Sequence, residues 1–260
     1  MMRKALIFDC DGVLADTEQF GHLPAFNQMW QEFRVPWAWS VAQYGRKLAI
    51  SGGKERMASL FNDADFLAVY SLPPTEAGRA ELIASWHKRK TAIYAEMIAS
   101  GRVPPRSGVR RLAKEALDAG WTLGVCSTSA RESVQSVLTH TMGQEVAERF
   151  SLLLAGDVVK AKKPAPDIYR MAAEQLHVSP RDCVVIEDSW NGLASAHAAG
   201  MRCLVTVSGY TQDEDFSEAE LVVSCLGDPQ GEKCQVLANR SAATPGDYIT
   251  VADLGRILNQ

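Results

Sequence analysis

The sequence lacks the features that would mark a membrane, secreted or metal-thiolate protein. No apolar run reaches the roughly 18 residues that span a bilayer, and Asp9 and Asp11 interrupt the first apolar run before a signal-peptide core forms. The six cysteines contain no CxxC pair, and four of them sit in or beside β-branched apolar runs. We therefore expect a cytoplasmic protein, without membrane association, whose cysteines are reduced and structural.

The chain also lacks an excess of basic charge. It has 27 Lys and Arg residues against 31 Asp and Glu residues, a formal net charge of −4 in 260 residues. This balance provides no basic field for nucleic acid, so we expect no nucleic-acid partner. No internal repeat or low-complexity tract is visible, and 47% hydrophobic with 22% charged residues is typical of a globular protein.

Short apolar runs recur along the chain and alternate with helical patterns. The runs of strand length are Ala5–Phe8, Trp121–Cys126, Leu152–Ala155, Cys183–Ile186, Cys203–Val207 and Leu221–Val223. The helical patterns between them are Val109–Ala119, Glu132–Leu138, Asp167–Leu176 and Leu193–Ala199. Apolar strands that alternate with helices predict an α/β fold with a doubly wound, Rossmann-like parallel sheet. A late edge strand at Gln235–Ala238 and a last helix at Val251–Leu258 follow.

One long stretch interrupts this alternation. Between the first and second strands, residues 17–101 contain helical patterns only, including Glu18–Phe33, Val41–Ala49, Lys54–Phe61 and Ala77–Ser100, with a break at Ser51-Gly52-Gly53. So long an excursion inside a compact α/β unit indicates an inserted domain rather than a loop. We therefore predict a catalytic core at residues 1–16 and 102–260, and an all-helical cap domain at residues 17–101.

Polar residues follow four of the predicted strands. They are Asp9 and Asp11 in DCDGVLADT, Ser127-Thr128-Ser129, Lys163 in KKPAPDIY, and Glu187-Asp188. Each group by itself has a plain alternative as a turn or a helix cap. Ligands of open parallel sheets bind at the carboxyl ends of the strands, however, and four complementary groups at that edge indicate a site.

The charges predict what this site binds. Three carboxylates converging at about 4 Å would repel one another by about 4 kcal/mol per pair at an effective dielectric constant of 20. Hard carboxylate oxygens without nearby Cys or His suit Mg²⁺, and the Lys163 ammonium suits a phosphoryl oxygen. A carboxylate in such a site can attack phosphorus, while a second one moves the proton of the leaving alcohol. Side chains two apart on an extended strand point the same way, so Asp9 and Asp11 can face one phosphoryl group.

In order and approximate spacing, the motifs DCDGVLADT, CSTS, KKPAPDIY and IEDSWNG resemble those of the haloacid dehalogenase superfamily of phosphohydrolases. The resemblance implies that Asp9 is the nucleophile, Asp11 the general acid/base, Ser127 a phosphate-binding hydroxyl and Lys163 the charge-neutralising lysine. It also implies a Mg²⁺ site formed by Asp9, Asp11 through its backbone carbonyl, Glu187 and Asp188. Dehalogenases proper lack the second aspartate of the first motif, so the presence of Asp11 favours phosphoryl transfer.

The helical insert resembles the cap of the β-phosphoglucomutase branch, and its GGKER segment is similar to that of xylulose-1,5-bisphosphate phosphatases. This implies a small phosphorylated sugar as the substrate, and we expect a monomer. The residues assigned to substrate binding are Glu18, His22, Tyr44, Arg46, Gly52, Gly53, Lys54, Lys90, Ser127, Thr128 and Asn191. In one departure, Glu18 and His22 are separated by one residue more than in the family's Glu-x-x-His pattern.

Other readings of the same residues stay open. For the cap residues these are a flexible turn at Gly52-Gly53, a solvated basic face at Lys90, and core or surface positions for Tyr44 and Arg46. For the whole chain, the alternatives are a phosphomutase of the β-phosphoglucomutase kind and a phosphatase for phosphoglycolate or hexose phosphates. A non-catalytic phosphate-binding module is disfavoured, because every motif position is present.

Overall fold

The computed structural model describes residues 3–50 and 52–259, so the predicted break at Ser51 and both chain ends lie outside the described residues. The chain divides into two compact units. We call Met1–Asp16 with Pro104–Gln260 the core unit, and Thr17–Val103 the helical unit. The predicted boundary after residue 101 lies two residues before the observed division.

The core unit is built on a seven-stranded sheet. Its strands are β1 Ala5–Phe8, β2 Thr122–Ser127, β3 Leu152–Ala155, β4 Cys183–Glu187, β5 Arg202–Thr206, β6 Leu221–Val223 and β7 Val236–Asn239. They lie in the order β3-β2-β1-β4-β5-β6-β7, all parallel except the antiparallel edge strand β7. The predicted α/β doubly wound sheet is therefore confirmed.

Helices cover the sheet because its strands are apolar on both sides. The helices of this unit are α6 Val109–Asp118, α7 Arg131–Met142, α8 Gln144–Ala147, α9 Asp167–Leu176, α10 Trp190–Ala198 and α11 Val251–Leu258. Ala5 and Ile7 pack in one buried cluster with residues of α9 and α10. Leu6 and Phe8 are equally buried and point to the opposite face, since successive strand side chains alternate.

Most boundaries in the core unit agree with the sequence patterns to within a few residues. The helix predicted at Leu193–Ala199 instead begins at Trp190, because the Ser189 hydroxyl accepts a hydrogen bond from the Gly192 amide and caps an earlier turn. The short helix α8 has no counterpart in the prediction. All six cysteines are free and buried, as expected for structural thiols.

The described residues of the helical unit form helices and turns. The α-helices among these residues are α1 Leu23–Glu32, α2 Val41–Lys47, α3 Gly53–Ala58, α4 Ala64–Val69 and α5 Glu76–Ala99. A π-helical turn, Glu18–His22, precedes α1, and a 3₁₀ turn, Ser59–Asn62, follows α3. Trp39 packs edge-on against Trp30 and Phe26, so it belongs to the core of this unit.

The π-helical turn accounts for the extra residue noted in the sequence. The Leu23 amide donates to the Glu18 carbonyl, five residues earlier, where an α-helix would bond across four. Gly21 packs against the Tyr94 ring at this point, and a Cβ atom there would crowd that ring. The turn therefore absorbs one residue and passes directly into α1. No helix formed by the described residues combines the length and apolar character that crossing a bilayer requires.

Candidate active site

The chain order of the strands determines where the polar side chains of the core unit meet. From β1 the chain continues to β2 and β3 on one side, and β4 begins the other side of the sheet. The junction of β1 and β4 is thus the switch point at which open parallel sheets bind ligands. Asp9 follows β1 directly and its amide donates to the Ile186 carbonyl in β4, while Glu187 ends that strand and Asp188 follows it.

A tight turn after β1 brings the first motif over the end of β4. The Leu14 amide donates to the Cys10 carbonyl, and the Gly12 amide donates to the Ala15 carbonyl, both at 2.9 Å. Gly12 has φ 81°, a left-handed conformation that glycine adopts without steric cost. Its missing side chain also matters, because a Cβ atom would overlap the carboxylate of Asp188.

Lys163 lies between the ends of β1 and β4. Its Nζ is 2.6 Å from Oδ1 of Asp9, 2.6 Å from Oε1 of Glu187 and 3.0 Å from the Cys126 carbonyl oxygen. Burial lowers the pKa of Lys163, but the charges of Asp9 and Glu187 together raise it above its ordinary value. The ammonium therefore stays charged and is held by both carboxylates.

The three buried carboxylates fit a divalent cation. Asp9, Glu187 and Asp188 each offer an oxygen, and the three oxygens lie within 4.8 Å of one another. Burial, followed by the charges of Asp9 and Glu187, raises the pKa of Asp188 well above its ordinary value. Burial likewise raises the pKa of Asp9 to about 8, although Lys163 opposes this shift. Hard oxygen ligands with unbalanced negative charge are the donor set that divalent cations such as Mg²⁺ prefer.

Asp11 has a different neighbour from Asp9. The Ser129 hydroxyl, after β2, donates to Oδ2 of Asp11, and the Ser129 amide donates at 3.1 Å to Oγ of Ser127. The CSTS motif thus joins the Asp11 carboxylate through Ser129 to Ser127, whose side chain is buried. Thr128, beside them, is exposed, and so is Asn191 in the first turn of α10.

Besides Ser129, two residues of the core unit belong to the site although the sequence patterns predict no role for them. The Tyr169 hydroxyl, on α9, donates to Oε1 of Glu187, and its ring lies 5.0 Å from Nζ of Lys163. Arg106 donates to the carbonyl of Gly12. Tyr169 belongs to KKPAPDIY, one of the motifs that carry the resemblance. Arg106 lies where the chain returns to the core unit, and no local pattern distinguishes it.

The helical unit contains its own polar cluster. The Tyr44 hydroxyl donates to Glu18 and accepts a 2.9 Å hydrogen bond from Nη1 of Arg56, which lies 3.6 Å from the Glu18 carboxylate. Nε of Arg56 donates to the Ile50 carbonyl at 2.9 Å. Glu18 and Tyr44 are thus brought together with Arg56, the arginine of the GGKER segment.

His22 and Lys90 form a second cluster in the helical unit. Nζ of Lys90 lies 2.7 Å from Nδ1 of His22, whose ring stacks on Tyr94 at a centroid distance of 4.1 Å. The same ammonium lies 4.6 Å from the ring centroid of Phe26. Burial, then the charges of Lys90 and Arg56, lowers the pKa of His22 well below its ordinary value. Neutral His22 therefore accepts a hydrogen bond from Lys90.

The remaining predicted substrate residues are dispersed over the helical unit. Arg46 and Lys54 are exposed on α2 and α3. Gly52 has φ 96° and lies against the side chain of Glu55, whereas Gly53 faces the His87 ring. The structure brings none of these four residues into the two clusters described above.

The chain is similar to proteins of known sequence and structure over most of its length. Residues 3–200 match the family model described as haloacid dehalogenase-like hydrolase. A CBBY-like protein of Arabidopsis thaliana is 48% identical over 230 residues, which cover 88% of this chain and 71% of that protein. Protein CbbY of Rhodobacter capsulatus is 41% identical over 220 residues, 85% of this chain and 92% of that one.

A solved structure supports the same assignment. A CbbY variant from Rhodobacter sphaeroides, crystallised with xylulose-1,5-bisphosphate, has a TM-score of 0.72 and 37% identity, and the match covers 86% of this chain and 95% of that one. Both the family model and the relatives cover well over half of the chain. With the site built at the switch point of its sheet, this chain therefore belongs to the haloacid dehalogenase-like hydrolases and is a phosphatase of that family.

Proposed function

We propose that this phosphatase hydrolyses a small sugar phosphate, most specifically a pentulose bisphosphate such as xylulose 1,5-bisphosphate, through an aspartyl-phosphate on Asp9. The observation that carries the proposal is the contact of 2.6 Å between Oδ1 of Asp9 and Nζ of Lys163. The contact places a cation suited to phosphoryl oxygens beside the carboxylate, and the charge of Lys163 opposes the rise that burial causes in the pKa of Asp9. The relative crystallised with xylulose-1,5-bisphosphate supports the substrate class.

In the first half of the reaction, Asp9 attacks phosphorus and the bond from phosphorus to the sugar oxygen breaks. Asp11 gives a proton to the departing sugar oxygen, so a neutral alcohol leaves. Ser127 and Lys163 bind the phosphoryl oxygens, and Ser129 holds the carboxyl group of Asp11 through its hydrogen bond.

In the second half, Asp11 takes a proton from water, the resulting hydroxide attacks phosphorus, and Asp9 is released with inorganic phosphate. Asp9, Asp188, Glu187 and the backbone carbonyl of Asp11 are the proposed ligands of Mg²⁺. When bound, the ion would neutralise the carboxylates and the phosphoryl oxygens and so favour attack by one anion on another. Glu187 has a second task, because its Oε1 accepts hydrogen bonds from Lys163 and Tyr169.

The residues proposed to bind the rest of the substrate, beyond its reacting phosphate, belong to the helical unit and to the strand ends. Glu18 and Tyr44 are proposed to bind sugar hydroxyls, and Lys90 the non-reacting phosphate. Glu18 and Tyr44 contact Arg56, and Lys90 contacts His22. These contacts support the proposal, because polar groups held in fixed positions lose little entropy on binding. His22, Arg46, Gly52, Gly53, Lys54, Thr128 and Asn191 stay predicted substrate residues on the resemblance alone.

A phosphate-release assay with and without Mg²⁺ tests the proposal. The substrates are xylulose 1,5-bisphosphate, glucose 6-phosphate, phosphoglycolate and β-glucose 1-phosphate, and we expect the bisphosphate to have the highest kcat/KM. Isomerisation of β-glucose 1-phosphate, with the bisphosphate left intact, would replace this proposal with a phosphomutase. Equal rates with chelator and with Mg²⁺ would refute the metal assignment.

The covalent step has a matched pair of variants. We expect Asp9→Asn to lose at least about 10⁴-fold in kcat, because an amide is no nucleophile toward phosphorus. Asp157→Asn is the control, since Asp157 also pairs with a lysine, Lys162, at 2.8 Å but on the surface. Normal turnover by Asp9→Asn would contradict the mechanism.

A further inference from the structure

Arg106 connects the turn of residues 10–14, which we call the first-motif turn, to two strands of the sheet. Its Nη1 donates to the Gly12 carbonyl at 2.7 Å, while its Nη2 donates to the carbonyls of Val207 at 2.7 Å and Ser224 at 2.9 Å. Nη2 also lies 3.1 Å from the Thr206 hydroxyl. The acceptors thus come from the turn after β1, the end of β5 and the segment after β6.

These acceptors are mostly backbone carbonyls just beyond the ends of strands, where sheet pairing no longer satisfies them. A partly buried carbonyl without a donor destabilises the folded state. A guanidinium suits this position because its N–H groups point in several fixed directions and it stays charged at every physiological pH. A lysine ammonium lacks this planar geometry.

The bond to Gly12 has a consequence for the site. Gly12 follows Asp11 within the turn, has a positive φ, and packs on the carboxylate of Asp188. The Arg106 amide also donates to the Leu14 carbonyl at 3.0 Å, so both the backbone and the side chain of Arg106 hold the same turn. Fixing the Gly12 carbonyl holds the peptide unit between Gly12 and Val13, one residue after Asp11.

We propose that Arg106 is a positioning residue for phosphoryl transfer. It holds the turn of residues 10–14 against the ends of β5 and β6, so that Asp11 keeps its orientation toward Asp9 and the reacting group. This inference rests on the proposed function only for the role of Asp11. The connection itself is a property of the core unit.

Arg111 provides a matched control in the same unit. Its guanidinium donates to the carbonyls of Gly227 at 2.9 Å and Leu226 at 3.2 Å, lies 3.6 Å from Asp228 and stacks on Tyr248. It therefore connects loops through carbonyls as Arg106 does, but its contacts are with segments other than the first-motif turn. Arg111→Met should cost stability and leave turnover unchanged.

The experiment compares Arg106→Met, Arg106→Lys and Arg111→Met with the unmodified enzyme. Steady-state kinetics gives kcat and KM, thermal unfolding gives Tm, and amide hydrogen exchange reports the Gly12 and Leu14 amides, which are hydrogen-bonded within the turn. We expect Arg106→Met to lower kcat about 100-fold, as misplacement of a reacting group does, with KM changed less than threefold. Exchange at Gly12 and Leu14 should accelerate in both Arg106 variants, most in Arg106→Met, and stay unchanged in Arg111→Met.

Arg106→Lys keeps the charge, so its kcat should be about tenfold higher than that of Arg106→Met. This variant also tests the inference if Arg106→Met fails to fold. Faster exchange in the turn with unchanged kcat would overturn the inference and leave Arg106 a purely structural residue. Equal losses of kcat in the Arg106 and Arg111 variants would overturn it as well.

Failure of the proposed function gives a different result. An unmodified enzyme without activity on any sugar phosphate would refute the proposed function, while the exchange measurement would still report whether Arg106 holds the turn. Conversely, a fully active Arg106→Met beside an inactive Asp9→Asn would refute this inference alone.

Discussion

Gly12 and the carboxylate of Asp188 occupy adjoining space, and a Cβ atom on Gly12 would overlap that carboxylate. Gly12→Ala therefore has to displace either the first-motif turn or Asp188. The positive φ of 81° adds about 1–2 kcal/mol of backbone strain for any other residue. We expect Gly12→Ala to lower kcat at least about 100-fold and to weaken Mg²⁺ binding, measured by calorimetry.

Gly120→Ala separates backbone strain from overlap. Gly120 has nearly the same φ, 78°, but nothing lies within 4 Å of the position that its Cβ would take. Gly120→Ala should therefore lower the free energy of unfolding by about 1–2 kcal/mol and leave kcat unchanged. Equal effects of the two variants on turnover would show that the overlap with Asp188 is unimportant.

Removing the Tyr169 hydroxyl tests the second buried partner of Glu187. Tyr169→Phe keeps the ring near Lys163 but deletes the donor to Oε1 of Glu187. Hydrogen bonds to charged groups contribute about 1.5–3 kcal/mol, so we expect a loss of that order in the free energy of unfolding. We also expect kcat to fall about tenfold, since a loosened Glu187 orients Lys163 less well.

Tyr248→Phe is the control for this variant, because its ring also stacks on a cation, Arg111, while lying outside the site. A Tyr169→Phe enzyme with the stability and turnover of Tyr248→Phe would contradict the expected contribution of the hydroxyl.

Ser127 and Ser129 should affect different kinetic constants. Ser127 is the proposed phosphate ligand, so Ser127→Ala is expected mainly to raise KM. Ser129 instead donates to Asp11, so Ser129→Ala should lower kcat about tenfold, because the carboxyl group that transfers the proton is then held less firmly. The two variants serve as controls for each other, and the opposite pattern would exchange the proposed roles.

The lowered pKa of His22 predicts that the stability of the protein depends on pH. The folded-state pKa of His22 lies well below the ordinary value of 6.5, so the unfolded chain binds a proton there first as the pH falls. The contribution of this group to stability is therefore present above about pH 6.5 and is lost at lower pH. The fall in Tm between pH 7.5 and pH 5 should be smaller in His22→Gln than in the unmodified protein.

His197→Gln is the control for this measurement, because His197 is exposed on α10. An unchanged acid dependence in His22→Gln would show that His22 is protonated in the folded protein.

Local sequence patterns predicted much of the core unit. The strands Ala5–Phe8, Leu152–Ala155 and Leu221–Val223 have the bounds that their apolar runs indicate, and so do the helices Asp167–Leu176 and Val251–Leu258. These elements are predictable because the strands are continuous apolar runs and the apolar residues of the helices repeat with the helical period.

The helical unit was less predictable because two of its features depend on tertiary packing. Helix α4 spans only Ala64–Val69 and is too short for a periodic signal, and Phe66 anchors it against the rings of Trp37 and Trp86. The π-helical turn at Glu18–His22 differs from an α-helix by a single residue per turn, which hydrophobic periodicity does not resolve.

The sequence by itself determined the class of fold, the helical insertion after the first strand, and the four motifs that assign the family. All of these are encoded in short stretches of neighbouring residues. Only the tertiary structure decided which polar groups meet: Lys163 with Asp9 and Glu187, Ser129 with Asp11, and Arg106 with Gly12. Such contacts join residues far apart in the chain, so they depend on strand order and on the geometry of turns, which no local pattern of residues contains.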